Sequence, residues 1–341
     1  MNKAITILGI ESSCDETSAS VLVDGKILSN FIAAQSIHES YGGVVPELAS
    51  RAHQQNILPV ISEAIKVSGI EIKQIDAIAY TRGPGLLGSL IVGSSFAKGM
   101  ALGLKIPLIE VNHMHGHILA HFIKNNEGTT HSPEFPFLCL TVSGGHTQIV
   151  LIRDYFDMEI IGQTIDDAAG EAFDKVAKIL GLPYPGGPLV DKYAANGDPN
   201  KYKFTHPKVP NLDYSFSGLK TAFLNFIKNN ISTNANFIEE NRDSICASIQ
   251  KTIIDILIHK LKSASLQTGI NNIAIAGGVS ANSGLRLALL QAQKDLNWNV
   301  FIPKMEFCTD NAAMIAIVGY LKFLKQDFSN QNLEPKARYN F

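Results

Sequence analysis

Residues 4–34 read AITILGIESSCDETSASVLVDGKILSNFIAA. An apolar run, Ala4 to Ile10, is followed by a polar, acidic turn from Glu11 to Thr17. A second run spans Ala19 to Val23, then the pair Asp24-Gly25, then a third run from Lys26 to Ala34. Asp-Gly between two such runs is a strong hairpin signal, so the chain opens with three strands. Further along, Glu47 to Val67 has helical spacing. A strand (Ile75 to Tyr80), a Gly/Pro-rich turn (Thr81 to Gly85) and a small-residue helix (Leu86 to Leu104) follow. A short strand (Ile106 to Val111) and a helix (His113 to Ile123) end this half.

The same order recurs. Phe137 to Val142 is a strand, Ser143 to His146 a Gly-Gly turn, and Thr147 to Arg153 and Met158 to Thr164 two more strands. A helix to Leu180 follows, with Asp166 or Asp167 as its cap. A long helix spans Arg242 to Gln267. Then come a strand (Asn272 to Ala276), a second Gly-Gly turn, a helix (Ala281 to Lys294), a strand (Asn299 to Pro303) and a last helix (Thr309 to Leu324). Two copies of three strands, a helix and two strand–helix units predict a duplicated α/β fold of two lobes. Such lobes form a cleft where loops at strand ends converge. The lobes are expected at 1–130 and 131–341, joined within Lys124 to Glu134, with the final helix able to pack back on the first lobe. Gly197 to Asp213, with three prolines, reads as an insertion or loop, and the polar tail after Asp327 as a segment that frays.

Composition narrows the class. The 341 residues are 45% hydrophobic and 18% charged, which suits a globular enzyme with a filled core. No unbroken apolar run reaches the ~18 residues of a membrane span, and the start of the chain lacks a small-residue cleavage site. Cys14, Cys139, Cys246 and Cys308 have no pair spacing, which argues for a reducing cytoplasm rather than a disulfide scaffold or zinc ribbon. A net charge of −2 neither suggests nor excludes a nucleic-acid partner.

The sharpest chemical feature is His113-Met-His-Gly-His117, with His121 after it. His113 and His117 are four apart and share a helix face, as two ligands of one transition metal would; ordinary surface histidines are the alternative. Met114 stands where a zinc peptidase has its catalytic Glu, which disfavours proteolysis. By the duplication, Asp310 occupies the place in the second half that the His helix occupies in the first, and is expected to face both histidines across the cleft. Its alternative is a carboxylate favoured by a helix dipole. Two imidazoles and a carboxylate leave metal positions open. Three Gly-rich turns, Thr81 to Gly85, Ser143 to His146 and Gly277 to Asn282, suggest phosphate handling, although none has Walker or dinucleotide spacing. The acidic run from Glu11 to Glu16 lies where a nucleotide phosphate would sit, with ordinary solvated turn residues as the alternative. Asp174, inside a predicted helix, faces either cleft or solvent.

Taken in order, GIESSCDETSASV, SIHESYGGVVPELASRAH, TRGPGLLGSL, NHMHGH, TVSGGHTQIV, IDDAAGEAFDKVAK, YPGGP, YSFSGLKTA and AIAGGVSANSGLR resemble the tRNA N6-adenosine threonylcarbamoyltransferases, once called O-sialoglycoprotein endopeptidases or glycoproteases. The likeness runs from Ile7 to Asn311 and is closer to the bacterial form. It implies the actin-like (ASKHA) fold. It also implies transfer of a threonylcarbamoyl group from threonylcarbamoyl-adenylate to N6 of adenosine 37 in tRNAs reading ANN codons, with release of AMP. His113, His117 and Asp310 match the family's metal ligands, the metal being iron(II) by usual assignment and zinc by chemical plausibility. Val142, Ser143, Gly144, Gly145 and His146 match a substrate-binding loop, and Asp174, Gly187, Asp191 and Asn282 match further adenylate contacts. His115 departs from the Glu of many relatives and adds a competing imidazole. Asp15 and Glu16 are the candidates for the base that attack by an adenine amine needs. Expected partners are tRNA, the adenylate, a smaller actin-like paralogue of the TsaB type and an ATPase of the TsaE type, with no membrane. The rival readings are a metallopeptidase, a sugar or acetate kinase of the same superfamily, and a non-catalytic scaffold paralogue.

Overall fold

The structure, a computed structural model, describes residues 3–125, 127–128 and 132–339. The expected lobe boundary at residues 130 and 131, and part of the Lys124–Glu134 link, lie outside the described residues.

Contacts divide the chain into two units. The first takes the chain up to Ser132 and again from Thr309 onward; the second is Pro133–Cys308. In the first, β1 (Thr6–Glu11), β2 (Thr17–Val23) and β3 (Lys26–Ala33) form an antiparallel meander. Asp24 and Gly25, at φ 48° and 86°, make the turn between β2 and β3, as a primed hairpin turn requires. The chain continues through α1 (Pro46–Ser68), β4 (Ala77–Gly83), α2 (Leu87–Leu104), β5 (Leu108–Asn112) and α3 (His113–Leu119). β4 lies parallel to β1, and β5 parallel to β4, so the sheet order is β3-β2-β1-β4-β5.

Alternation along β1 sets the layers. Leu8 and Ile10 pack with Ile57 and Ile61 of α1 and Ala97 of α2. Ile7 and Gly9 face the opposite way, onto the chain's last helix. Gly9 is required there, because a Cβ at this position would lie 2.5 Å from the Ala312 carbonyl oxygen. By length and composition α2 could cross a membrane. In this fold it packs on β4 and α1, with Leu90, Gly93, Ala97 and Ala101 turned inward.

In the second unit, β6 (Phe137–Val142), β7 (Thr147–Asp154) and β8 (Asp157–Gln163) repeat the meander. Four helices follow: α4 (Ala169–Ile179), α5 (Gly186–Ala194), α6 (Ser217–Ile231) and α7 (Phe237–Thr268). Then come β9 (Asn272–Ala276), α8 (Ser283–Leu296) and β10 (Asn299–Phe301). The order β10-β9-β6-β7-β8 mirrors the first sheet, with β9 parallel to β6 and β10 parallel to β9. The core beneath it joins Leu138, Leu140 and Ile275 to Phe173, Phe223, Ile253 and Leu257. The Gly197–Asp213 stretch contains neither helix nor strand. It is nonetheless anchored by Tyr202 and Phe204, which pack on Phe226 at ring-centroid distances of 5.0 and 5.3 Å.

The last helix, α9 (Ala312–Leu324), belongs to the first unit and packs on β1, β2 and β4. The second unit therefore ends at Cys308, short of the expected 341. The reason is that Ala312, Ala313, Ile315, Ala316 and Ile317 are all buried, and the small residues let the helix approach Gly9 closely. As far as residue 339, the tail does not fray either. Ser329 N–H donates to Leu108 O (2.7 Å), Lys336 N–H to Arg82 O (2.8 Å) and Tyr339 Oη–H to Glu110 Oε2 (2.8 Å). β5 is an edge strand whose backbone groups need partners, and the tail supplies them.

Two expected caps differ. Ala168 precedes α4 without a side-chain bond. Asp166 instead accepts hydrogen bonds from Phe216 N–H (2.7 Å), Ser217 N–H (3.3 Å) and the Ser215 and Ser217 hydroxyls, tying the start of α6 to β8.

Candidate active site

β5 ends in Asn112, whose side chain accepts from Met114 N–H and starts α3. This places His113 on the first turn and His117 on the next, with rings edge to face at 4.7 Å between centroids. Asp310 lies two residues before α9, in the loop before Asn311, which caps that helix through Met314 N–H. Its Oδ1 is 3.1 Å from His117 Nε2 and 3.4 Å from His113 Nε2. The donor atoms of the three residues lie within 4.8 Å of one another. Asp310 thus meets the histidines inside the first unit, because α9 is part of that unit. The expectation that it reaches over from a second lobe is corrected.

Electrostatics follow from this crowding. Burial opposes charge on His113, but the carboxylates of Asp310 and Glu11 outweigh it and hold the imidazole well above its usual pKa. Burial also works against the Asp310 carboxylate. The His113 charge and hydrogen bonds from both rings hold it well below the usual range. The fully buried Glu11 and the half-buried Asp310 therefore crowd around the two imidazoles, an arrangement that a cation in its midst would stabilise. Two imidazole nitrogens and one carboxylate oxygen on one spot suit a divalent iron or zinc with open positions, so the residues fit such an ion. His115 is not in this group. Burial, then Lys322, push its pKa down to about 4, and Glu110 only partly opposes this; it faces the β5–α9 side rather than the triad.

The acidic turn is not simply solvated. Glu11 is fully buried at the end of β1 and accepts from Ser13 N–H and Thr81 Oγ1–H, each at 2.5 Å. Burial, then Asp310 and Asp15, push Glu16 up to about 9, so without a bound metal ion it keeps its proton at neutral pH. His53 on α1 braces this turn, with Nε2 3.0 Å from the Cys14 carbonyl and Nδ1 2.7 Å from Thr17 Oγ1.

The second unit gathers the remaining candidates. In the β6–β7 turn, Ser143 N–H donates to His146 O (2.8 Å) and His146 N–H to Ser143 Oγ (3.1 Å). Those two amides are therefore occupied within the turn, and the exposed Gly144 and Gly145 present the amides that can meet a ligand. Asp174 is not simply solvated. Its Oδ1 accepts Gly186 N–H (2.8 Å) and Gly187 N–H (3.1 Å), latching α4 to the start of α5. Asp191 accepts from Ser283 N–H (2.9 Å), Ser283 Oγ–H (2.8 Å) and Gln250 Nε2–H (3.0 Å), while Asn282 donates to Gln250 Oε1 (2.8 Å). Asp174, Gly186 and Gly187 form one cluster, and Asp191, Asn282, Ser283 and Gln250 another, at the two ends of α5 and the start of α8. Sequence reading did not pair Glu11 with Thr81 and His113, nor Asp191 with Gln250 and Ser283, because these partners stand 59 to 102 residues apart in the chain.

The family model for tRNA N6-adenosine threonylcarbamoyltransferase matches residues 26–317. The chain belongs to this family. The transferase is 61% identical over 340 residues to the tRNA N6-adenosine threonylcarbamoyltransferase of Christiangramia forsetii, covering 100% of this chain and 99% of that one. It is 59% identical to that of Riemerella anatipestifer, covering 99% and 98%. Among solved structures it is similar to HypF of T. kodakarensis, with a TM-score of 0.64 at 16% identity over 97% of this chain and 49% of that one. It is also similar to component A of the (R)-2-hydroxyglutaryl-CoA dehydratase of Acidaminococcus fermentans, with a TM-score of 0.53 at 16% identity over 93% and 98%. These neighbours establish that the transferase has the actin-like α/β fold.

Proposed function

We propose that the chain transfers a threonylcarbamoyl group from threonylcarbamoyl-AMP to N6 of adenosine 37 in tRNAs reading ANN codons, releasing AMP. The observation that carries this reading is the family match across residues 26–317 in a chain that keeps His113, His117 and Asp310 together. In the reaction the adenine amine attacks the carbamoyl carbon. A C–N bond forms, the bond from that carbon to the phosphate oxygen breaks, AMP leaves with the electron pair, and N6 loses one proton.

His113, His117 and Asp310 would hold one divalent metal, iron(II) by preference and zinc as the alternative. When bound, such an ion supplies a positive charge that polarises a carbonyl oxygen or neutralises phosphate. The chain's own residues do the rest. The Gly144 and Gly145 amides orient the donor, since glycine lets the backbone approach an anion. Asp174 holds the Gly186–Gly187 turn and Asp191 with Asn282 the start of α8, and both clusters take the adenosine end of the donor. Asp15 and Glu16 are the carboxylates proposed for the N6 proton. A small actin-like paralogue of the TsaB type and an ATPase of the TsaE type are proposed partners. A cytoplasmic location is proposed, as tRNA chemistry and four unpaired cysteines suit.

The test supplies purified adenylate and unmodified tRNA to wild type and Asp310→Ala, and measures the modified nucleoside. Formation by wild type and loss in the variant is expected. No product from wild type, with or without the proposed partners, contradicts the reading. Shared tRNA recognition predicts tighter tRNA binding by the assembly than by the chain alone.

A further inference from the structure

We infer that Glu11 is a positioning residue for the metal centre: it fixes the His113 ring so that Nε2, rather than Nδ1, is presented to the ion. The inference rests on the metal reading above. Glu11 is wholly buried at the last position of β1. A carboxylate buried so deeply must have its lone pairs satisfied. Ser13 N–H occupies Oε1 and the Thr81 hydroxyl occupies Oε2. Oε2 then faces His113 Nδ1 at 3.2 Å.

A carboxylate only accepts, so in the neutral ring that a metal ligand must be, this contact favours the proton on Nδ1 and the lone pair on Nε2. Nε2 is the atom that points to Asp310, at 3.4 Å. Ser13 Oγ also lies 3.1 Å from Nδ1 and could donate to it, which would favour the opposite tautomer. The charge-assisted bond to Glu11 is the stronger of the two, so it decides the ring's state. Thr81 and the Ser13 amide hold Glu11 in place, which lets strands β1 and β4 aim a side chain on α3. His117 differs: its Nδ1 is buried with no hydrogen-bond partner among the described residues, so no comparable carboxylate orients it. Orienting carboxylates of this kind change metal affinity by about 10–100-fold when removed.

The experiment uses the full chain and zinc as the probe. Zinc affinity is measured by chelator competition for wild type, Glu11→Gln, Thr81→Val and Ser13→Ala, and melting temperature for each. In the zinc-loaded proteins, the His113 Nδ1–H resonance is followed by long-range 1H–15N correlation. Glu11→Gln is expected to weaken zinc by about 10–100-fold and to move the Nδ1–H resonance upfield. Thr81→Val, which keeps the carboxylate but frees it, is expected to weaken zinc less, and Ser13→Ala to stay near wild type. Wild-type affinity and an unmoved resonance in Glu11→Gln, with only a lower melting temperature, would mean a purely structural role and overturn the inference. So would weakening in Ser13→Ala alone. Absence of zinc binding by wild type would overturn the metal reading and this inference together, and is distinguishable from both other failures.

Discussion

The turn after β1 and the turn after β6 occupy matching places in two sheets of the same order, yet their contents are opposite. The first, from Glu11 to Thr17, is acidic and largely buried, with Glu11, Ser12 and Ser13 all nearly inaccessible. The second, Ser143 to His146, has no carboxylate and exposes two glycines. One scaffold thus appears twice with its polar groups specialised. In the first unit a buried carboxylate, Glu11, and a half-buried one, Asp310, gather around imidazoles, which is a setting for a cation. In the second, Asp174 is taken up by two backbone amides, and Asp191 by one backbone amide, the Ser283 hydroxyl and the Gln250 side chain, so both build loops rather than present charge. Backbone plan and chemical content are separable, and the chemistry must be read from the side chains.

The largest test of this division is His113→Ala. Losing a ligand removes several kcal/mol of charge stabilisation, so nucleoside formation from supplied adenylate should fall on the order of 10³-fold. AMP binding, measured by calorimetry, should change little. Asp174→Ala is the counterpart. It leaves the Gly186 and Gly187 amides without their acceptor, and AMP affinity is expected to fall about tenfold while metal affinity holds.

Much of the fold was legible in the sequence, because alternating apolar runs and Asp24-Gly25 specify a meander locally. The repeat of that pattern from Phe137 exposed the duplication. α5 and α6 were not legible. α5 begins Gly-Gly-Pro and is held by Asp174 from another helix, and the start of α6 is held by Asp166, about fifty residues earlier. The pair His113 and His117 was legible from its spacing of four. The place of Asp310 was legible only in part, since its unit depends on where α9 packs. Glu11 could not be assigned from spacing, because His113 is 102 residues away and the link is tertiary.

Two smaller effects sharpen the comparison. Gly9→Ala puts a Cβ against the Ala312 carbonyl and should destabilise the first unit by about 1–3 kcal/mol, read as a lower denaturant midpoint. The loop preceding α9 carries Asp310, so metal affinity should fall with it. The smallest effect is in pH. Burial lowers the pKa of His53 below its usual 6.5 despite its bond to the Cys14 carbonyl. The unfolded chain therefore binds the proton first. The associated stability is complete above about 6.5 and is lost as pH falls toward the folded value. Melting temperature should decline below that pH in wild type, and less steeply in His53→Gln. In the turn after β6, Gly144 and Gly145 carry no titratable side chain, and their variants should not alter this slope.

The most direct measurement compares divalent-metal affinity in Asp310→Ala and Asp174→Ala by chelator competition, beside wild type. Specialised units predict that Asp310→Ala loses tight binding and that Asp174→Ala keeps the wild-type value. Equal losses in both variants, or unaltered binding in Asp310→Ala, would contradict a metal centre built from His113, His117 and Asp310.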